Sequence, residues 1–431
     1  MTLSLLDSPV VRAPRVVRGL PVAVIGAGPV GLAAAAHLLE RGLEVVVLEA
    51  GASAGSAMHA WGHVRLFSPW RSVVDAAAER LLAEQGWRAP DREALPTGRD
   101  VAEQYLAPLA DAAPLRPRIR YGTAVTAVTR QGLDRTRTRG RAAAPFLLRL
   151  RTGSGDEELL AGAVIDASGT TTSPSPVTAS GLPPLSAAGD RLVSGIPDVL
   201  GVDRRRFAGR RVAVVGSGHT AAHLLLALDE LSRLEPGTEA VWVLRSADSD
   251  RLYGSAEDEL TARASLGSAV RELVEKGRVR RIAGFAVSDV VHTSDGVRLV
   301  SSAGDIIEAD IAVTATGFRP ELGILRELRL ALDDVVEAPV HLAPLIDPEL
   351  HSCGTVPAHG AAELAHPEPG FYLAGMKSYG RAPTFLLLTG YEQVRSIAAE
   401  LAGDDEAARR VELVLPETGG CSAKGPDSPC C

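Results

Sequence analysis

The chain has 431 residues, 46% hydrophobic and 23% charged, with 45 Lys and Arg set against 53 Asp and Glu for a formal charge of −8. Such a length predicts about two or three packed units, and the composition excludes a disordered or fibrous chain. The acidic balance excludes a nucleic-acid protein, because neutralising phosphates needs a concentrated basic face.

Met1 to Leu20 carries arginines and two prolines but no apolar run of the secretory kind, so it reads as a tail and the chain is expected to stay in the cytoplasm. Val22 to Leu39 is nearly all apolar, about the length of a membrane span. Gly26, Gly28, Pro29 and Gly31 interrupt it where a strand must turn sharply into a helix. The run is therefore expected to be a buried β-turn-α unit, with Leu43 to Glu49 as its return strand.

Residues 53 to 115 mix aromatic loops around Trp61 and Trp70 with helix-like runs at Ser72 to Glu84 and Gly98 to Ala110, as expected of an insertion covering a cofactor. Strand-like runs follow at Ile119 to Arg130, Phe146 to Arg151 and Leu159 to Asp166. The basic stretch Arg135 to Arg141 reads as a solvated hairpin tip. The Pro-, Ser- and Thr-containing loop Thr170 to Leu185 is the expected hinge.

A second strand, turn and helix opens at Gly216, Ser217, Gly218, His219, Thr220 and Ala221 and returns through Ala240 to Arg245. The repeat lies 190 residues (216 − 26) after the first, too wide for a solenoid, and implies a second binding domain. Strand-like segments at Ile311 to Thr314, leading into Gly317, and at Gly370 to Gly375, with a helix at Thr389 to Ala402, are expected to complete the fold. The last dozen residues read as a tail.

In the first motif Gly26 permits a tight turn, Gly28 lets backbone approach a pyrophosphate, and Gly31 allows close helix packing. The helix N-terminus offers amide donors to the anion. Glu49, 18 residues (49 − 31) beyond Gly31, ends the second strand, where a carboxylate accepts ribose hydroxyls. The corresponding position in the second motif is Arg245. A guanidinium pairs bidentately with a 2′-phosphate that a carboxylate would repel, which favours NADPH over NADH.

These paired motifs, with the Ala315-Thr316-Gly317 turn, resemble those of the pyridine-nucleotide-dependent flavoproteins, the group of flavin-containing monooxygenases and thioredoxin reductases, over nearly all of residues 20 to 403. The resemblance implies an α/β fold with two Rossmann-like dinucleotide-binding domains, the FAD domain discontinuous around an inserted NADPH domain. Expected boundaries are 21–200 and 316–412 for FAD and 201–315 for NADPH, with tails at 1–20 and 413–431. FAD would contact Gly26, Gly28, Pro29, Gly31, Glu49, Arg65, Val125, Ser168, Gly169, Gly317 and Gly375. NADPH would contact Gly216, Ser217, Gly218, His219, Thr220 and Arg245.

Residues 50 to 350 contain no cysteine, so the flavin-side dithiol of the disulfide reductases is missing. The Phe-x-Gly signature of flavin-containing and Baeyer-Villiger monooxygenases is matched only by Phe207-Ala-Gly209, with no histidine after it.

Trp61 to Trp70 and Cys353 to Arg395 resemble flavin monooxygenase-like proteins of actinobacterial arsenic-resistance clusters, which implies oxidation of a trivalent arsenical, a small-molecule substrate, with oxygen. Cys353 and His359 are the candidate catalytic residues, with His366 a further candidate acid-base group. Three of the four cysteines, Cys421, Cys430 and Cys431, fall in the last eleven residues. Thiolates are natural ligands for As(III) or another soft ion, and no metal is expected as a cofactor. A thiol or soft-metal reductase working through this tail, and a non-enzymatic thiol buffer or redox sensor, are the alternatives. A homodimer is compatible with all three.

Overall fold

This computed structural model describes residues 16–186, 189–247, 261–347, 356–382 and 385–412, and the side chains of residues 261–264 are outside that description. Strands are numbered in chain order. In the first half they are β1 (Val22–Ile25), β2 (Val45–Leu48), β3 (Ile119–Arg120), β4 (Ala124–Arg130), β5 (Phe146–Thr152), β6 (Gly155–Ala161) and β7 (Ala163–Asp166). The second half adds β8 (Leu192–Ser194), β9 (Arg211–Val215), β10 (Glu239–Val243), β11 (Val279–Ile282), β12 (Val287–His292), β13 (Val297–Ser301), β14 (Ile306–Ala309), β15 (Ile311–Thr314) and β16 (Phe371–Leu373).

Two five-stranded parallel sheets form the frame, in the orders β16-β7-β1-β2-β3 and β11-β10-β9-β15-β8. Two antiparallel three-stranded sheets accompany them, β4-β5-β6 and β12-β13-β14. This is an α/β protein with two Rossmann-like dinucleotide-binding units. In each parallel sheet the chain order reverses at the strand bearing a glycine turn, β1 or β9, which opens a crevice outside the carboxyl ends of the strands.

The apolar run at 22–39 is a strand, a turn and the helix α1 (Pro29–Glu40). The fully buried Ala33, Ala34, Ala35 and Ala36 let α1 pack closely against the helices Ala76–Ala83 and Leu387–Ala402, and their small side chains are the reason a core can form there without bulk. No helix among the described residues is long and apolar enough to cross a membrane.

Local pattern misplaced several boundaries. Ile119 to Arg130 is two strands in two sheets, broken at Tyr121 to Thr123, where Gly122 has φ +58°. Leu159 to Asp166 likewise divides between β6 and β7 at Gly162, whose Cβ, if present, would lie 2.6 Å from the carbonyl of Val17. Val17, placed by sequence in the tail, donates its amide to Gly162 O at 3.2 Å. Leu192–Ser194 pairs with β15, so the second sheet begins upstream of the boundary expected at 201.

The basic stretch is also not wholly solvated. Arg141 is buried, and with Arg130 it brackets the buried carboxylate of Glu368. That cluster ties the β4–β5 hairpin to the segment entering β16.

The two connections between the parallel sheets clasp each other. Ser175 N donates to Gly317 O at 2.9 Å, Arg319 N donates to Ser173 O at 2.8 Å, and Thr316 Oγ1 donates to Ser175 O at 2.9 Å.

Candidate functional site

The first crevice is built from the glycine turn after β1. Gly26 has φ +99°, and a Cβ there would stand 2.9 Å from Ala167 O. A Cβ on Gly31 would stand 1.9 Å from Gly26 O, whereas one on Gly28 would meet nothing within 4 Å. The turn therefore needs glycine at 31 for its own closure and at 26 for its positive φ and its close approach to the backbone after β7, and keeps open space in front of 28. Pro29 starts α1, Gly28 caps it without a side-chain hydrogen bond, and the first turn carries no acid. Its leading amides lack intrahelical acceptors and attract an anion.

Glu49 closes the turn from the end of β2. Its Oε2 accepts Ala27 N and its Oε1 accepts Gly51 N, both at 2.7 Å. Each carboxylate oxygen keeps a second acceptor site for a ribose hydroxyl. An open cradle, unsatisfied helix amides and an oriented carboxylate together fit an adenine dinucleotide.

Ser168, Gly169 and Gly375 reach the same edge of the sheet, after β7 and β16. Gly375 has φ +68°, and its Cβ would approach Val30 Cγ2 at 3.2 Å, so the β16 turn sits directly against the start of α1. Val125 lies on β4 in the neighbouring sheet. Arg65 is exposed and engages its own loop, with Nη1 donating to Leu95 O at 2.6 Å. Gly317 follows β15 and belongs to the inter-sheet connection rather than to the first turn.

The second crevice repeats the plan. Gly216 has φ +131°, with an imagined Cβ 2.2 Å from Ala315 O, while Gly218 again faces open space. Gly218 caps the helix His219–Leu234, whose first turn holds no acid. Ser217, Gly218 and His219 are exposed, as is Arg245 beyond the end of β10. Trp242 Nε1 donates to Gly216 O at 2.7 Å and fixes the turn from below.

Sequence reasoning missed a charge at the first site. Lys377, 0% exposed, donates through Nζ to Asp166 Oδ2 at 2.7 Å and to Ser168 Oγ at 3.0 Å. Ser168 returns its hydroxyl proton to Asp166 Oδ1 at 2.7 Å. The Lys-Asp pair staples the β16 turn to the β7 turn beside Gly26. A lysine two residues after the glycine that follows β16 was the available signal, but nothing local showed that it was buried.

His359, a candidate acid-base group on sequence, is 3% exposed and has both ring nitrogens engaged. Nδ1 donates to Pro357 O at 3.0 Å, so Nε2 accepts from Gln393 Nε2 at 2.9 Å. Burial pushes its pKa down, more than the Pro357 hydrogen bond and the carboxylates of Glu363 and Glu392 raise it. A neutral imidazole with no free nitrogen does not exchange protons with a substrate.

The role of His359 is positional. It orients Gln393, whose Oε1 accepts Gly375 N at 2.8 Å and whose Nε2 also donates to Ser378 Oγ at 2.9 Å. His366 accepts Ala331 N on Nδ1 at 3.3 Å, and burial lowers its pKa to about 4. Trp70 is buried in the core and Trp61 packs against Gly98, so both serve packing. Cys353, Cys421, Cys430 and Cys431 lie outside the described residues.

The profile of the family described as "Pyridine nucleotide-disulphide oxidoreductase" matches residues 20–340. The chain is 28% identical over 319 residues to a ferredoxin–NADP reductase of Salinispora arenicola, covering 73% of this chain and 79% of that protein. Among solved structures, a bacillithiol disulfide reductase from Bacillus cereus superposes with a TM-score of 0.64 at 17% identity, covering 89% of this chain and 99% of that one. A flavin-containing monooxygenase from Stenotrophomonas maltophilia gives 0.54 at 22% identity, covering 89% and 98%. At such identities the structural likeness establishes the shared fold alone.

Proposed function

Because the chain belongs to the pyridine nucleotide-disulphide oxidoreductase family, it is a flavin-dependent NADPH oxidoreductase, and we propose that it oxidises a trivalent arsenical, inorganic or organic, to the pentavalent form with oxygen. In this reading the unit built on the first parallel sheet holds FAD through Gly26, Gly28, Gly31 and Glu49. The unit on the second holds NADPH through Gly216, Gly218 and Arg245.

The observation that carries the reading is the doubled glycine cradle, open at Gly28 and Gly218, with a carboxylate at the end of β2 and a guanidinium after β10. The absence of cysteine between residues 50 and 350 supports oxygen rather than a flavin-side dithiol as the electron acceptor. The arsenical rests on the sequence resemblance and on the affinity of thiolates such as Cys421, Cys430 and Cys431 for a soft ion.

FAD, when bound, supplies the two-electron step between nicotinamide and oxygen. The protein's residues bind and orient. Helix amides take the pyrophosphates, Glu49 accepts ribose hydroxyls, Lys377 holds the β16 turn in place, and His359 remains neutral and fixes Gln393. The overall reaction balances as follows: arsenic(III) loses two electrons and gains one oxygen atom, NADPH gives a hydride, one proton is taken up, and the second oxygen atom leaves as water. The enzyme would act in the cytoplasm as part of arsenic resistance.

A second reading, a thiol or soft-metal reductase, is favoured by the adjacent Cys430 and Cys431. The deciding experiment reduces the purified flavoprotein anaerobically with NADPH, then mixes it with oxygen in the presence or absence of phenylarsenite. Pentavalent product matched to NADPH consumed supports the oxidising reading. Peroxide release with unchanged arsenic overturns it. For the reductase reading, deleting residues 420–431 abolishes turnover while leaving flavin reduction intact.

A further inference from the structure

An aromatic contact joins the two dinucleotide units beside the second glycine turn. Phe67 belongs to the loop of the first unit, and its ring centroid lies 4.8 Å from that of His219 and 5.6 Å from that of His223, the latter nearly parallel at 23°. Both histidines are in the first turns of the helix His219–Leu234, which the second glycine turn opens.

The loop carrying Phe67 is held firmly on either side. Leu66 N donates to Pro96 O at 2.8 Å and Trp70 N donates to Ala94 O at 3.0 Å. Nearer the loop's start, Gly98 N donates to Val64 O and Arg99 N to Gly62 O, both at 2.9 Å. Trp70 is itself sunk in the first unit's core. Phe67 is thus a fixed point of the first unit pressed against the helix that opens the second crevice.

His223 meets Phe67 as a ring, not as a hydrogen-bonding group. Its Nε2 is buried without a hydrogen-bond partner among the described residues. Burial, with a smaller contribution from the nearby His63, lowers its pKa, so the imidazole is neutral and flat against the phenyl face.

We propose that Phe67, tilted against His219 and stacked on His223, is a positioning residue that sets the second unit's nucleotide helix relative to the first unit and thereby aligns the nicotinamide for hydride transfer to the flavin. This rests on the reading that the second glycine turn binds NADPH. Hydride transfer falls steeply when the reacting atoms are displaced by about 1 Å, which costs on the order of a hundredfold in rate. Loss of the contact acts on that alignment and leaves the chemistry of each crevice as it was.

The test compares Phe67→Ala, Phe67→Tyr, His223→Ala and His223→Phe in the flavin-loaded protein, reading the limiting rate of anaerobic flavin reduction by NADPH, reduction by dithionite, and flavin content. Phe67→Ala and His223→Ala are expected to slow NADPH reduction about tenfold to a hundredfold at saturating NADPH, with dithionite reduction and flavin content unchanged. Phe67→Tyr and His223→Phe, which keep both rings, are expected to retain the parent rate. Should Phe67→Ala lose flavin, His223→Ala decides from the other side of the contact.

Parent-like reduction in both alanine variants overturns the inference, as does a slow His223→Phe, which would assign the histidine a polar role. Hydrogen exchange supplies a readout that needs no nucleotide: both alanine variants should speed amide exchange in residues 62–67 and 219–224 together. If NADPH fails to reduce even the parent protein, the function reading falls, and exchange alone judges the contact.

Discussion

Replacing Lys377 with Met tests the buried pair at the first crevice. Asp166 and Lys377 are both 0% exposed, and the substitution removes the Nζ that donates to Asp166 Oδ2 at 2.7 Å. Breaking a buried pair by deleting one partner costs roughly 3–5 kcal/mol, because the remaining charge stays desolvated. Ser168 still donates to Oδ1, through its amide at 3.1 Å and its hydroxyl at 2.7 Å, which places the expected loss near the lower end, about 3 kcal/mol. Met is close to the lysine stem in volume, so little of that loss is cavity.

The assay is urea denaturation of the flavin-free protein, with flavin retention measured separately. Combining Lys377→Met with Asp166→Asn removes the orphaned charge and should restore about half of the loss. A single variant within about 1 kcal/mol of the parent, the range of an exposed pair, or a double variant no better than the single, would refute the argument that the pair acts as a buried staple.

Gly28→Val should fold normally, because a Cβ there meets nothing within 4 Å, yet should lose flavin retention by filling the cradle. Gly31→Ala should fail to accumulate as folded protein, since its Cβ would lie 1.9 Å from Gly26 O; circular dichroism with flavin content separates the two. Arg245→Ala is expected to raise the KM for NADPH about tenfold to a hundredfold, the worth of a charge-assisted contact of about 1.5–3 kcal/mol, and to leave that for NADH nearly unchanged in steady-state assays.

Stability should also fall in acid through Glu368. Burial by itself would raise its pKa, but hydrogen bonds from Arg141, Arg130 and the Arg329 amide more than offset this and hold it below the ordinary 4.5. A depressed carboxylate stabilises above its unfolded pKa and loses that contribution as pH falls through the folded one. Thermal midpoints should therefore drop below about pH 4.5, with a smaller drop in Glu368→Gln, whose baseline is already lower at neutral pH.

Sequence by itself determined what depends on near neighbours. The turn at Gly26–Gly31 was legible because a Cβ at Gly31 would collide with Gly26 O inside the turn itself, and that at Gly216–Ala221 because it repeats the same spacing; the close approaches of Gly26 to Ala167 O and of Gly216 to Ala315 O come from backbone far along the chain. The position of Glu49 was legible because the return strand delivers its end to the turn by fixed spacing, where it accepts Ala27 N. The α/β class followed from repeating that unit.

Tertiary structure alone decided the rest. Ile119 to Arg130 and Leu159 to Asp166 read as single strands because periodicity does not reveal which sheet receives each half. Lys377 finds Asp166 across 211 positions, and Arg130 finds Glu368 across 238. No local pattern distinguishes these charges from solvated ones, nor His359 from a proton donor until Gln393 occupies its second nitrogen. Phe67 likewise became informative only when the two units met. A side chain's propensity is fixed by its neighbours in sequence, but its burial, ionisation and role depend on groups that the fold brings from far along the chain.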